Sequence, residues 1–512
     1  MIRIGIDVGG TNTDAVMLDG KTVLAAVKTA TTSDASDGIR QLLTQLIAAA
    51  PKQASDVGAV MIGTTHFINA VAQRRHLNRA AALRICLPSS ASLRPMIDWP
   101  EDLASKADGG AYLVEGGHEF NGRPLMPLDE AAVAAAARQM RAEGIDAVAV
   151  TAVFSPLTAA AEVRAAEILQ QEHPDLRITL SSRLGRIGLL ERENVALLNA
   201  CLANLAERTV DTFETALNES EIAAPLYITQ NDGTVASVEA ARGSPVYSFA
   251  SGPTNSMRGA AFLSKLDSAM ALDIGGTTSD IGCLVKGFPR EANSVVEVGG
   301  VRTLFRMPDV LSLAIGGGTI VSSDGERVGP DSVGHRLREQ ARVFGGEVFT
   351  LSDIAVAAGI ADIGDRRRVE ALPKHLIDRV LATVHDRLAS AVDRMKPDAA
   401  PTPLLAVGGG AMLAPAIMDG VSEIVAVPHA GVANAVGAAI AQVSGEVDAV
   451  FKDLDRAELL EKAETIARSR AIEAGADPSS LQVVDREDLP LAYLPGNAVR
   501  ARVRVVGDLA GV

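Results

Sequence analysis

Two distant segments of this chain carry almost the same phrase: IDVGGTNTD at residues 6–14 and LDIGGTTSD at residues 272–280. Laid over one another without a gap, residues 5–18 and 271–284 put Asp7 on Asp273, Gly9 and Gly10 on Gly275 and Gly276, Thr11 on Thr277, and Asp14 on Asp280. A match this dense at one constant offset predicts a duplicated core, two domains of related topology facing one another. In each copy an apolar strand ends in an aspartate and runs into a glycine pair. Such a sequence can form a tight hairpin whose backbone N–H groups approach a phosphate, because glycine has no Cβ in the way. Thr11, Asn12 and Thr13 in the first copy, and Thr277 and Thr278 in the second, add polar groups at the rim. Asp7 and Asp273 stand where a carboxylate can hold Mg²⁺ directly or through its water shell. A lone strand followed by GGT is usually an ordinary turn, but two such turns with the same preceding acid have no packing reason to match. Asp14 and Asp280 are weaker candidates, since an Asp after a Thr also serves as a turn cap.

A third junction, LLAVGGGAML at residues 404–413, repeats the strand-to-glycine pattern. Its glycines, Gly408, Gly409 and Gly410, leave a backbone surface against which adenine and ribose can lie. Two opposed hairpins would pinch a nucleotide's phosphate tail from opposite sides, and third in this order the loop is a candidate for holding the adenosine.

The remaining pattern is α/β. IRIGID (2–7) and GAVMIGTT (58–65) read as buried strands, with a hairpin turn at Asp19–Gly20 and helical spacing over 38–50. Residues 88–128 read as a Pro- and Gly-rich loop region, 128–143 as an alanine-rich helix, and 189–217 as one long helix linking two halves. The tail from about 447 reads as a helix up to Gly475, followed by two strands. The expected division is 1–185, 186–446 and 447–512.

Composition excludes several function classes. A net charge of −15 with no basic run argues against nucleic acid. No apolar run approaches the roughly 20 residues of a membrane span, and the start lacks a leader pattern. The three cysteines are widely spaced and form no CxxC pair, so neither a zinc site nor a disulfide framework is expected, and a reduced cytoplasm fits.

These junctions resemble the phosphate-1, phosphate-2 and adenosine motifs of the superfamily that contains actin, the Hsp70 chaperones and sugar kinases. Within it, the chain resembles the hydantoinase/oxoprolinase A family, through IDVGGTNTD, IGTTHFINAVAQRR (62–75), FASGPTNSMRGA (249–260), LDIGGTTSD and PDV followed by GGGT (308–319). The resemblance spans residues 2 to about 445. It implies a two-lobed actin-like (ribonuclease H-like) ATPase fold with a duplicated core and a small α+β C-terminal extension. It also implies ATP-driven opening of a small cyclic amide, a hydantoin or a lactam such as 5-oxoproline, by phosphorylation of the carbonyl oxygen and attack of water. Asp7 and Asp273 would then organise metal and nucleophile. Asp309 reads equally as a catalytic carboxylate or a strand-end cap. Thr64, Thr65, His66 and Asn69 read as substrate contacts or as a helix cap, and Ser251 and Gly252 as substrate contacts or as a rigid loop. His335 reads as a surface histidine.

The chain departs from its relatives at two places. Leu311 stands where many carry histidine before the GGG segment, and Ala341 where the GPACYG phrase has its cysteine. Loss of both soft ligands together leaves Mg²⁺-ATP chemistry intact and weakens transfer of the substrate class. Larger family members continue into a further domain, which implies a B-type partner subunit here; a homo-oligomer is also open. A small-molecule kinase and an ATP-switched binding protein of the same superfamily are the alternatives.

Overall fold

A computed structural model describes residues 2–31, 35–51, 56–220, 222–492 and 496–511. The repeated phrases form two antiparallel hairpins. In the first, Ile2–Val8 pairs with Asn12–Asp19 and sets Asp7 opposite Asp14. In the second, Ala269–Ile274 pairs with Ser279–Val285 and sets Asp273 opposite Asp280.

Each hairpin sits in a sheet of the same order. In the first lobe the sequence across the sheet is Thr22–Ala30, Asn12–Asp19, Ile2–Val8, Val57–Thr64, Leu226–Thr229. In the second it is Phe288–Pro289, Ser279–Val285, Ala269–Ile274, Thr402–Val407, Val421–Ala426. In both, the first two pairings are antiparallel and the next two parallel. This is the duplicated core of a two-lobed actin-like ATPase fold.

Alternation along the strands decides where the aspartates point. Ile2, Ile4, Ile6 and Val8 bury one face against Ile39, Leu42, Leu43 and Leu46 of the helix Ala35–Ala49. Asp7 therefore projects from the opposite face. In the second lobe Met270, Leu272 and Ile274 pack with Val380, Val384 and Leu388 of the helix Lys374–Met395, and Asp273 projects the other way. Those outward faces meet two helices that cross between the sheets, Ser251–Ser264 and Ala433–Ala439.

The crossing is close because its residues are small. A Cβ on Gly259 would lie 1.8 Å from the carbonyl oxygen of Ala433, one on Gly437 1.8 Å from that of Asn255, and one on Gly5 2.1 Å from that of Ala435. Gly437→Ala is expected to force the helices apart and destabilise the fold by about 2 kcal/mol, read as a lowered midpoint in urea unfolding.

The chain between the fourth and fifth core strands of the first lobe, Val57–Thr64 and Leu226–Thr229, carries a separate four-stranded parallel sheet. Its order is Asp108–Glu115, Ala80–Leu87, Ala147–Ala152, Arg177–Leu180. Glu130–Ala142 and Ala160–Glu172 cover one face and Leu189–Cys201 the other. The stretch 88–128 read as loop thus contains the helix Glu101–Ala107 and a strand. Two glycines hid the strand: a Cβ on Gly109 would lie 2.6 Å from the Ala80 backbone, so the residue that allows the pairing also weakens its signal.

The long helix expected over 189–217 is two, Leu189–Cys201 and Ala203–Glu219. Asn78 explains the break. Its side-chain amide donates to the carbonyl oxygen of Ala200 (2.9 Å), its backbone N–H to that of Cys201 (2.9 Å), and its Oδ1 accepts from the backbone N–H of Asn204 (3.2 Å).

Strands from all three expected segments share the first-lobe sheet. Thr234–Ser237 pairs with Gln442–Phe451, which is followed outward by Val499–Gly507 and Gln482–Pro490, making nine strands. Among the described residues no helix is long and apolar enough to cross a membrane, and Cys86, Cys201 and Cys283 are buried and free.

Candidate active site

The two hairpin tips are built alike and face each other. The N–H of Gly9 donates to the carbonyl oxygen of Asn12 (3.1 Å), and that of Gly275 to Thr278 (2.8 Å). Those amides are consumed in closing the turns. The N–H groups of Gly10, Thr11, Gly276 and Thr277 have no acceptor among the described residues. A Cβ on Gly276 would sit 3.3 Å from the Thr11 side chain, so the tips confront one another across the cleft. Thr13 turns inward, its hydroxyl 3.2 Å from that of Thr31, while the Thr31 hydroxyl donates to the Gly9 carbonyl oxygen (2.7 Å) and stiffens the first tip.

The second tip is braced by two glycine runs. The N–H of Gly317 donates to Gly275 (3.0 Å), that of Gly318 to Gly276 (2.7 Å), and that of Gly410 to Ile274 (2.7 Å). Gly408 has φ +88°, and a Cβ there would fall 2.2 Å from Asp273 Oδ1. Gly409 borders open space. The first lobe repeats the arrangement: a Cβ on Gly63, opposite Asp7 in the ladder, would fall 2.7 Å from Asp7 Oδ1. Each aspartate thus rests against a glycine at or just past the end of the adjacent parallel strand.

Around Asp7 the polar groups are shared tightly. Asn434 Nδ2 donates to both Asp7 Oδ2 and Asp14 Oδ2, each at 2.9 Å. Lys28 Nζ lies 2.6 Å from Asp14 Oδ1. Asp7 is 4% exposed, and its Oδ1 is buried without a partner. Burial first, then the Asp14 carboxylate, push the Asp7 carboxyl up to about 7, with Asp273 adding to the rise. Burial also raises Asp14 and Asp273, the latter against a hydrogen bond from Ser256. Asp280, which accepts from the Ser312 hydroxyl, is raised to about 6, again chiefly by burial.

Four acidic groups with one lysine near them, and one carboxylate oxygen left bare, are a donor set that suits a hard cation. Among the described residues no cluster of three or more His, Cys, Asp or Glu converges as a closed metal cage.

Thr64, Thr65, His66, Asn69, Ser251 and Gly252 come together beside this point. Val8 pairs with Thr64, and Thr65 donates through its N–H (3.3 Å) and hydroxyl (3.4 Å) to the Val8 carbonyl oxygen. Asn69 Nδ2 donates to the Thr65 hydroxyl (3.2 Å), and His66 Nδ1 lies 2.9 Å from that of Thr64. The Ser251 hydroxyl donates to the Thr64 carbonyl oxygen (3.3 Å), and a Cβ on Gly252 would touch Thr65 at 3.5 Å. Thr65 makes no side-chain cap to the helix His66–Gln73. Burial holds the His66 imidazole below its ordinary value.

Asp309 is not brought to the cleft. It sits at the start of Val310–Leu313, away from the second tip, and accepts from Arg290 at 2.7 Å. Leu311 packs against the second-lobe core, and Ala341 lies in an apolar cluster with Val343, Val356 and Val369. Both departures from the family are thus absorbed into apolar packing. His335 is exposed, as expected of a surface histidine.

Residues 3–173 match the hydantoinase/oxoprolinase N-terminal region, and residues 192–365 match the hydantoinase/oxoprolinase domain. The chain belongs to the hydantoinase/oxoprolinase family. It is 25% identical over 430 residues to the caprolactamase subunit alpha of Pseudomonas jessenii, covering 77% of this chain and 60% of that protein. The chain thus spans less than two thirds of that relative's length. Among solved structures, the ATP-dependent caprolactamase from Pseudomonas jessenii superposes with a TM-score of 0.75 at 18% identity, over 99% of this chain and 88% of that one. Nucleotide-free acetone carboxylase gives 0.72 at 17% identity, with the same coverage. At those identities the likeness concerns the fold.

Proposed function

We propose that this chain is the ATP-handling subunit of an enzyme that opens a small cyclic amide. The observation that carries the reading is the pair of opposed tips, each with free amides, each preceded by an aspartate seated against a glycine. Membership in the hydantoinase/oxoprolinase family and similarity to a caprolactamase subunit support the substrate class.

The chemistry is reasonable for such a site. An amide resists hydrolysis until its carbonyl oxygen becomes part of a good leaving group, which phosphorylation by ATP provides. The free amides of Gly10, Thr11, Gly276 and Thr277 receive phosphate oxygens, and the Gly408–Gly410 loop takes the adenosine. Asp7 and Asp273 would hold Mg²⁺, which when bound neutralises phosphate charge. Thr64, His66 and Ser251, beside Asp7, would orient the amide. A second subunit is proposed to complete the enzyme.

Phosphate release tested with 5-oxoproline, hydantoins and larger lactams, with and without a co-expressed partner chain, decides the matter. Free phosphate together with the opened ring supports the reading. A persistent phosphorylated product would instead make the protein a kinase.

Asn434 gives a separate test. Asn434→Ala removes the side-chain amide that bridges Asp7 and Asp14, leaving two buried oxygens without that donor. MgATP affinity is expected to fall about tenfold or more, measured by calorimetric titration, whereas Asn434→Asp, which adds a negative charge, should bind more weakly still.

A further inference from the structure

The four-stranded inserted sheet has chemistry of its own, which the nucleotide cleft does not use. In chain order its strands run Ala80–Leu87, Asp108–Glu115, Ala147–Ala152, Arg177–Leu180, but in space the first lies between the second and the third. The chain reverses its direction of build between Ala80–Leu87 and Ala147–Ala152. In open parallel sheets such a switch point opens a crevice at the carboxyl ends of the strands, where ligands bind.

Side-chain atoms that are buried without a partner gather at that edge. They are His118 Nδ1, on the loop after Asp108–Glu115; Ser155 Oγ, after the end of Ala147–Ala152; and Ser182 Oγ, after Arg177–Leu180, while Thr151 Oγ1 lies one residue inside its strand on the face covered by Leu189–Cys201. Thr151 and Ser155 are almost fully buried, at 0% and 1% exposed. Unpaired buried polar atoms are infrequent in folded proteins, and several at one edge call for a common partner.

Their loops are adjacent. The His118 N–H donates to the Val153 carbonyl oxygen (3.3 Å), and the Val153 N–H to that of Ile85 (3.2 Å). Gly117 lets this segment enter the switch point, since a Cβ there would lie 3.1 Å from the Ile85 carbonyl oxygen and φ is +90°. Glu162 joins the third and fourth strand ends by accepting from the N–H of Ala152 (2.9 Å) and of Ser182 (2.9 Å).

We propose that this carboxyl edge is a second binding site, which takes a small uncharged amide between His118, Ser155 and Ser182. Hydroxyls and an imidazole offer a donor beside an acceptor, the complement of an amide's carbonyl oxygen and N–H. Glu162 is already committed to the backbone N–H groups of Ala152 and Ser182 and to the Ser181 hydroxyl. Burial lowers the His118 pKa and so favours the neutral ring, and the buried Arg192 guanidinium at the same strand ends is committed to the Ala152, Arg186, Ile187 and Gly188 carbonyl oxygens and the Ser181 hydroxyl, so neither offers a carboxylate guest a free charge. The site is independent of the nucleotide reading.

The test uses the full chain, isotope-labelled at its eight histidines, with the His118 signal assigned through His118→Gln. Pyrrolidinone is titrated without nucleotide, and its ring-opened amino acid in parallel. Saturable movement of the His118 signal by the lactam alone is expected, with affinity weakened about 3- to 10-fold in Ser155→Ala. Ser182→Ala serves as the second variant should Ser155→Ala fail to fold. The proposal is overturned if pyrrolidinone leaves His118 unmoved or moves only His66, if the ring-opened acid binds equally well, or if a folded serine variant binds like the parent. An MgATP titration, read at His66, tests the nucleotide site separately.

Discussion

Asp7→Asn is expected to stabilise the free protein near neutral pH and to remove its hold on MgATP. The Asp7 carboxyl is raised from 3.8 to about 7, first by burial and then by Asp14, so between these values the folded state binds a proton that the unfolded state has released. By linkage, stability is greatest at the acid end of that window, falls as pH rises toward about 7, and is level above it. An isosteric amide carries no charge to bury. The variant should therefore lack this slope and exceed the parent at pH 8 by about 1–3 kcal/mol, a fraction of the ceiling such a shift allows. Thermal unfolding of both proteins at pH 5 and pH 8 measures the difference. ATP turnover is expected to fall by about 10²- to 10³-fold, the scale for losing one preorganised charged group. Equal stability profiles, or parental affinity for MgATP, would contradict this account of the site.

The second large effect concerns the neighbouring glycines of the third junction. Gly408→Ala demands a left-handed φ of +88° from a residue with a Cβ, and sets that carbon 2.2 Å from Asp273 Oδ1 and 2.5 Å from the Ile274 carbonyl oxygen. Strain and overlap together are expected to destabilise the protein by about 3 kcal/mol or more and to displace Asp273. Gly409→Ala meets nothing within 4 Å and has an ordinary φ, so its stability should lie within about 0.5 kcal/mol of the parent. Unfolding midpoints of the two variants, with MgATP titrations of whatever folds, separate the structural demand from general intolerance of side chains in the loop.

The duplicated hairpins were legible because register and chemistry are both local: an acid, a glycine pair, and the acid's cross-strand partner lie within nine residues. Lys28 shows the limit of that reading. Counting back from the Asp19–Gly20 turn in simple register, Asp14 would face Val27, but an irregularity between Met17 and Leu18 shifts the pairing by one residue and sets Lys28 opposite Asp14. Such a slip exchanges the faces of a strand and leaves little trace in composition. Asn434 was hidden differently. It occupies an alanine-rich helix far along the chain and reaches Asp7 only because Gly5, Gly259 and Gly437 let that helix press between the sheets. Asp309 stayed ambiguous for the converse reason: a strand-end acid looks the same in sequence whether it faces the cleft or pairs with Arg290.

The interleaving of the nine-stranded sheet has a consequence for biosynthesis. Thr234–Ser237 reaches its neighbour Gln442–Phe451 only after the entire second-lobe sheet has left the ribosome. The later-encoded lobe can complete its hydrogen-bonded ladder from one contiguous stretch, whereas the earlier-encoded one waits with an open flank. For this polypeptide, emergence from the tunnel and completion of the architecture run in opposite order, and the nascent chain's vulnerable interval belongs to the half translated first.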